Sequence, residues 1–306
     1  MKHLITLLAC TLSLASSVWA EGKRVLPASA QVEGGYLSSQ LLLKPCVDVA
    51  ALGFGADDSV HQEAAVARKA LPAGTCEDAV LVEKLFKARF LQYGSIALVD
   101  APWTLAQRIE RQNRAISRCQ DRQCLTRELD TVIAQLSPVY FGASRAWPRG
   151  KGLCATEALA MPANKALAVL GAGPGQQVTA ECGEEGVIAS SCRGPHGRLL
   201  FLSCGMSGNQ VNASQWLYRV GKAQPEPLFA VADGPLGVLE SSCNGMPDLM
   251  TSARVSAGEH SDTFYRYDGK AYQQVYSYIS TFVGTDANGN DLSIAQAGTR
   301  VSVDCR

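Results

Sequence analysis

Eleven cysteines in 306 residues are the feature that most limits how this chain can fold. Cys10 lies in an apolar N-terminal segment, and ten more follow it: Cys46, Cys76, Cys119, Cys124, Cys154, Cys182, Cys192, Cys204, Cys243 and Cys305. An even number of cysteines is typical of a disulfide framework in an oxidising compartment, whereas in a reducing one it is more typical of metal or redox sites. Whether these cysteines form disulfides therefore depends on the compartment in which the chain folds.

The N-terminal segment has the pattern of a secretory signal peptide. Lys2 and His3 precede an apolar or small stretch at residues 4–18, and Ala20 ends a site with the small residues that signal peptidase requires. The apolar stretch is too short to be retained as a transmembrane helix. We therefore expect residues 1–20 to be a signal peptide and the mature chain to begin at Glu21, without a transmembrane segment.

The prediction is an exported, periplasmic protein, and one alternative changes its N-terminus. Residues 7–10 read Leu-Leu-Ala-Cys, like a lipobox, which would make Cys10 a lipidated N-terminus after a signal of only nine residues. With either N-terminus, the ten later cysteines predict up to five disulfides, and their pairing stays open.

Cys119 and Cys124 form a C-x4-C pair in an arginine-rich helical stretch. This is neither the C-x-x-C of a thioredoxin-like site nor half of a zinc site, so it predicts a structural disulfide. On a continuous helix the two Cα atoms would stand about 8 Å apart, too far for a disulfide. If the two bond to each other, the helix must break between them, where Asp121 can cap a second helix. Otherwise each bonds to a different neighbour.

Hydrophobic periodicity divides the chain into two unlike parts. Residues from about 40 to 140 have helical spacing, whereas after a Gly/Pro/Arg-rich connector at residues 142–152 the period changes to two. The predicted fold class is α+β, with a disulfide-stapled helical N-terminal domain at residues 21–141. An antiparallel β sandwich or meander domain follows at residues 153–306.

Several local signals predict particular elements. We expect helices over about residues 59–71, after Cys76, and from Pro102 onwards, and a last helix that Ser137-Pro138 ends. Asp268-Gly269 predicts a type I′ hairpin with Tyr265 opposite Tyr272. The glycine-rich residues 171–175 are interpreted as a β-turn and residues 286–291 as a hairpin turn, rather than as nucleotide and calcium loops.

Residues 114–136 resemble the C-terminal half of the LprI-type lysozyme-inhibitor module. The likeness rests on Arg118-Cys119, then Cys124-Leu125, then hydrophobic residues spaced along to Leu136. It implies a small, exported, disulfide-stapled helical domain over residues of about 40–140, in which Cys46 and Cys76 take the place of the other cysteine pair. Residues 243–249 and 265–272 resemble a β module of bacterial envelope proteins that has no assigned activity.

The sequence offers few groups for catalysis. His61, His196 and His260 are isolated in the sequence, without a metal-ligand partner two to four positions away, and no G-x-S-x-G motif is present. We therefore predict no catalytic residues, no metal, no cofactor and no enzymatic activity.

One polar feature stands out, an arginine stripe. Arg108, Arg111, Arg114 and Arg118, followed by Arg122, recur on the helix face opposite Leu105, Ile109 and Ile116. Such a stripe is typical of a solvated helix face. The alternative is a surface that recognises carboxylates or phosphates, since guanidinium groups bind both. Arg111, Arg114 and Arg118 are the predicted binding residues.

Three functions follow as hypotheses. The first is a periplasmic binding protein that neutralises a hydrolase by protein–protein contact, as a lysozyme inhibitor or as an immunity protein against a secreted toxin. The alternatives are a structural or assembly component of the envelope and an envelope hydrolase with a carboxylate site. The formal net charge of +0 gives no field for nucleic acid, so none is expected as a partner.

The mature protein is expected to begin at Glu21 and to contain no free thiol. The reason is the even number of cysteines that remains after export into an oxidising compartment. Thiol titration of the denatured, unreduced protein should give almost no signal, and intact mass should match cleavage before Glu21. Two or more reactive thiols per chain would contradict the five-disulfide prediction.

Overall fold

The computed structural model describes residues 24–32, 36–49, 58–99, 101–142, 153, 159–183, 186–204, 213–221, 224–232, 234 and 236–305. The predicted signal peptide, Cys10, the new N-terminus at Glu21, Cys154 and nearly all of the connector lie outside these ranges.

Helices dominate the N-terminal part of the described chain, after one turn of 3-10 helix at Ser29–Gln31. They are α1 (Leu37–Leu43), α2 (Asp58–Lys69), α3 (Ala79–Ile96), α4 (Pro102–Ser117) and α5 (Arg122–Gly142). Two further helices, α6 (Ala163–Leu170) and α7 (Ala172–Cys182), follow the first strand.

The described strands form two five-stranded antiparallel sheets. The first sheet contains β1 (Leu159–Met161), β2 (Val187–Gly194), β3 (Gly197–Cys204), β4 (Gln215–Val220) and β5 (Glu226–Val231). The second contains β6 (Leu236–Cys243), β7 (Met246–Arg254), β8 (Glu259–Tyr267), β9 (Tyr272–Thr285) and β10 (Asp291–Arg300). Strands that follow each other in sequence lie side by side, which is a meander. The predicted α+β fold class is confirmed.

The hydrophobic core arranges these elements in four layers. Helices α3, α4 and α5 pack on one face of the second sheet, whose other face packs on the first sheet, and α6 and α7 cover the outer face of the first sheet. The alternation of strand side chains makes this possible, because successive residues point to opposite faces. On β8, Phe264 contacts the helices and Tyr265 contacts the first sheet.

The contact between α4 and the second sheet combines an aromatic pair with a buried ion pair. The rings of Trp103 and Phe264 meet edge to face with centroids 5.7 Å apart. The guanidinium of Arg266 lies 5.0 Å from the centre of the Trp103 ring, and its Nε donates to Asp248 Oδ2 at 3.1 Å. Asp248 is only 1% exposed, so this carboxylate is held inside the interface.

Helix α3 approaches its neighbours closely at Gly94. A Cβ atom built there would stand 3.5 Å from the Tyr140 ring of α5 and 3.7 Å from the Ser293 carbonyl oxygen of β10. A larger side chain would push α3 away from both neighbours. Both distances are ordinary van der Waals separations, so the gap admits a methyl group and leaves little space beyond it.

All nine cysteines in the described part of the chain are disulfide-bonded. Four pairs have both cysteines described: Cys46–Cys76, Cys119–Cys124, Cys182–Cys204 and Cys243–Cys305. The helix does break between Cys119 and Cys124, and Asp121 Oδ1 accepts a hydrogen bond from the Cys124 N–H at 2.8 Å. Among the alternatives left open by the sequence, the direct Cys119–Cys124 bond is therefore the one present.

The prediction that Ser137-Pro138 ends the last helix of the N-terminal part is wrong. This helix, α5, continues to Gly142 with Pro138 inside it. A proline inside a helix costs about 3 kcal/mol. Packing beyond the proline offsets this cost, because Tyr140 is buried and its ring meets Phe90 edge to face at 5.6 Å. Arg24 adds a hydrogen bond to the Tyr140 carbonyl.

The β-turn interpretation of residues 171–175 is also wrong, since α7 begins at Ala172. Gly171 alone turns the chain, with φ of +76°, and Pro174 falls in the first turn of α7, where its missing N–H has no helical acceptor to lose. Both α6 and α7 were missed within the predicted β part. Their apolar faces are short, with Ala166, Leu170 and Val178 as the buried positions.

The two predicted hairpin turns are present, one with a different register. Tyr267, not Tyr265, pairs with Tyr272, because Asp268 Oδ1 accepts hydrogen bonds from the N–H groups of Lys270 and Ala271 and closes a four-residue loop. In the turn between β9 and β10, Asp286 accepts hydrogen bonds from Asn288 and Asn290 in the same way.

The division into a domain at residues 21–141 and a domain at residues 153–306 stays a prediction. Its test must allow for a hydrophobic core that contains residues of both parts. Cleavage within residues 143–152 is expected to leave both parts associated, because the largest hydrophobic cluster contains residues of α3–α5 and of the second sheet. An inserted protease site would allow the cut. Size-exclusion chromatography should then give one peak, while a reducing denaturing gel shows two bands.

Release of a folded β fragment from the cleaved protein, seen by circular dichroism, would instead establish independent domains. The uncut protein carrying the same insertion is the control for any effect of the inserted residues.

Candidate functional site

The predicted binding residues Arg111, Arg114 and Arg118 are all exposed, at α4 or immediately after it. The buried side of α4 carries Leu105, Ile109 and Ile116, which belong to the main core. The guanidinium groups of the three arginines make no hydrogen bond or ion pair with any other described residue. We call Arg108, Arg111, Arg114 and Arg118 the arginine face.

Arg122 was the fifth member of the stripe in the sequence, but the structure uses it differently. Its Nε donates to Asp78 Oδ2 at 2.7 Å, which joins the start of α5 to the start of α3. The other oxygen of Asp78 caps α3 by accepting from the N–H groups of Val80 and Leu81. The hydrogen bond from Arg122 and these N–H donors lower the pKa of the Asp78 carboxyl.

A pocket of about 300 Å³ opens beside Arg114, between α3 and α4. Its walls are Ala70, Arg89, Asn113, Arg114, Ile116 and Ser117. Arg114 is the member of the predicted trio that lines it, and Arg111 and Arg118 lie outside the walls. The pocket therefore brings a second guanidinium, from α3, to the edge of the arginine face. We call it the arginine pocket.

Two polar atoms in the walls of this pocket are buried without a partner in the described part of the chain. They are the Nε of Arg89, a donor, and the Oδ1 of Asn113, an acceptor. Each such atom costs about 1–3 kcal/mol relative to a satisfied one. Two residues that line the pocket thus each keep one buried polar atom without a described partner.

Hydrogen bonds between the helices hold the polar wall in place. Asn113 donates to the Tyr93 hydroxyl at 3.1 Å, so its side-chain amide is fixed against α3. One residue earlier on each helix, Gln92 donates to Gln112 at 3.1 Å. Gln112 in turn donates to Gln135 of α5 at 2.9 Å. The α3–α4 contact beside the pocket is therefore polar and specific rather than an apolar seam.

The local charge of the pocket is positive despite two nearby helix ends. Ala70 directly follows α2, and Ser117 ends α4, so roughly half a negative charge from each helix dipole lies close by. The full charges of Arg89 and Arg114 exceed these two half-charges. Glu110, one turn before Arg114, forms no ion pair with it. An oxyanion is the ligand that this field favours.

The three histidines are exposed and lie on different elements. His61 is on α2 and His260 on β8, while His196 lies in the turn between β2 and β3, with its ring stacked against Tyr267 at 6.1 Å. The described residues contain no cluster of three or more potential metal-ligating side chains. Among the described helices, none combines the length and the apolar character needed to span a bilayer.

Comparison with known proteins gives no relative: no family model matches the chain, and no curated protein or solved structure is significantly similar to it. The resemblance to the LprI-type module therefore stays a prediction. The Cys46–Cys76 pair that it implies is present, as is the Cys119–Cys124 pair.

Sequence reasoning missed Arg89. It lies two positions after Lys87 in the stretch Leu85–Leu91, where basic residues among hydrophobic ones predict nothing more than the solvated side of a helix. Arg89 and Arg114 are far apart in the sequence, so the sequence gives no sign that they line the same pocket. An unpaired arginine on a largely buried helix was the one available signal.

The carboxyl of Asp78 is expected to stabilise the helical layer only while it is ionised. Its folded pKa lies below the ordinary 3.8, so its contribution is complete above that pH and is lost as the pH falls through the lower folded pKa. Asp78→Asn should keep a cap acceptor, lose the ion pair and flatten this acid dependence. Asp78→Ala should also lower the thermal midpoint at neutral pH by removing the cap.

Thermal unfolding followed between about pH 2.5 and pH 7 would measure both effects. Identical acid profiles for the wild type and Asp78→Asn would show that the pair contributes nothing.

Proposed function

We propose that this protein is an exported, periplasmic binding protein that neutralises a hydrolase by protein–protein contact. The observation that supports it is the arginine face, in which exposed guanidinium groups have no partner among the described residues and lie along a helix that packs in the core. Disulfides are typical of proteins that fold outside the reducing cytoplasm, which fits export.

Charge indicates what kind of surface the arginine face would contact. Guanidinium groups pair with carboxylates in two-pronged geometry, so an acidic patch on the partner complements them. Lysozymes are generally basic and would be repelled. Of the two forms of the proposal, an immunity protein against an acidic secreted toxin therefore fits the face better than a lysozyme inhibitor.

Disulfides near both ends of the helical layer favour binding over a flexible role. Cys119 directly follows Arg118 and is bonded to Cys124, which holds the end of α4 against the start of α5. Cys46–Cys76 closes the region around α2 in the same way. A surface that is already ordered loses less conformational entropy on association.

Replacing Arg111, Arg114 and Arg118 together by glutamate is expected to abolish capture of the partner. The thermal midpoint should change little, because these side chains are exposed and form no ion pair with any described residue. A matched control reverses three exposed basic residues of the β part, Lys165, Arg193 and Lys270, and changes the net charge by the same amount. Capture would be measured by pull-down from periplasmic extract with mass spectrometry, and inhibition by the activity of the captured hydrolase.

Capture that survives in the arginine variant but fails in the control would place the binding surface on the β part. A captured partner with no hydrolytic activity would support the structural or assembly alternative. Steady hydrolysis of peptidoglycan or lipid by the purified protein, free of partners, would overturn the binding proposal.

A further inference from the structure

We infer that the arginine pocket binds the carboxylate side chain of an acidic residue presented by an extended segment of the partner. The inference rests on the proposed function, because it names the group of the partner that the arginine face would receive. Its own basis is the chemistry of the pocket walls.

The first argument is the pair of guanidinium groups. Arg89 and Arg114 come from different helices and line the same pocket, and neither side chain pairs with a described carboxylate. Helices α3 and α4 hold these two positive charges at one pocket opening. A bound anion would reduce the electrostatic repulsion between them. The buried Nε of Arg89 has no acceptor and would gain one through a small rotation of the side chain.

The second argument is the size and the apolar part of the walls. A volume of about 300 Å³ is roughly ten times the ~30 Å³ of one water molecule in the liquid, so the pocket admits a side chain rather than a lone ion. Ile116, 3% exposed, and Ala70 supply apolar surface beside the charges. The methylene groups of a glutamate can lie against this surface while the carboxylate meets the guanidinium groups.

The third argument is the unsatisfied acceptor. Asn113 Oδ1 is buried and needs a donor, which a simple carboxylate lacks. Ser117 already donates its hydroxyl proton to the Arg114 carbonyl oxygen, so its oxygen can only accept a further bond. A backbone N–H next to the bound acidic residue would satisfy such an acceptor. A peptide carries the carboxylate and the N–H together.

The test is a titration of the ¹⁵N-labelled full-length mature protein, with no partner present. The probes are N-acetyl-glutamate methylamide, its glutamine isostere and inorganic phosphate. We expect saturable shifts of the Arg89 Nε–H and Asn113 Nδ2–H resonances with the glutamate probe and none with the glutamine probe. Phosphate should bind more weakly than the glutamate probe, because it has no methylene groups to lie against Ile116 and Ala70.

Three variants locate the binding. Arg114→Ala should weaken the glutamate probe about tenfold or more, since a charge-assisted hydrogen bond is lost. Arg89→Lys, which keeps the charge but removes the planar fork, should also weaken it. Lys87→Ala is the matched control: it removes a positive charge from α3, the helix of Arg89, outside the pocket walls, and should leave the affinity within about twofold. Because Arg114 is exposed, its variant is expected to fold even if a change at half-buried Arg89 is disruptive.

Equal binding of the glutamate and glutamine probes, or tighter binding of phosphate, would overturn the inference, as would an Arg114→Ala variant with unchanged affinity. These results differ from failure of the proposed function. A pocket that binds the glutamate probe in a protein that captures no hydrolase would refute the function and keep the pocket.

Discussion

The face of the β6–β10 sheet that points towards the helices is the contact on which the other layers depend. Helix α3 is buried along most of its length and packs between α5 and β10, which leaves little freedom for either neighbour. Phe264 of β8 is fully enclosed in this contact and meets Trp103 of α4. The orientation of α4, and with it the direction of the arginine face, follows from burying this one sheet surface.

A buried charge lies at the edge of the same contact. Asp248 is almost inaccessible, and one of its oxygens has no described partner while the other accepts from Arg266. Its negative charge adds to burial, the larger cause, in raising the pKa of Tyr272. Removing one member of such a pair lowers stability because the other is left as a buried charge without a partner. The pair therefore opposes a different packing of the interface. It holds Arg266 over Trp103 and thereby fixes the start of α4.

The fold could be predicted from the sequence wherever a local rule decides the outcome. The change of period after residue 142 gives the α+β class. The distance limit predicts a helix break if Cys119 and Cys124 bond to each other, and the structure has both the bond and the break. The failures occur where tertiary contacts override local rules. The packing of Tyr140 allows α5 to continue past Pro138. The side-chain oxygen of Asp268 closes a hairpin loop that is longer than the loop predicted from Asp-Gly alone.

The candidate site also has one part that could be predicted from the sequence and one part that could not. The exposed arginines of α4 follow from helical spacing, because a stripe opposite the apolar positions must face away from the core. The arginine pocket does not, because Arg89 and Asn113 are brought together by the α3–α4 packing and held by the Tyr93 hydroxyl. No pattern along a single helix contains that information.

The Cys119–Cys124 bond links the predicted compartment to the proposed site. It closes a loop of a few residues directly after Arg118, with the side chain of Asp121 capping the helix that follows. Before oxidation, this cap, the Arg122–Asp78 ion pair and the flanking core contacts hold the junction of α4 and α5, without a covalent link between them. We therefore expect the C-terminal end of the arginine face to become fully ordered only after export. A binding surface that is completed in the oxidising compartment is suited to a partner met there and not in the cytoplasm.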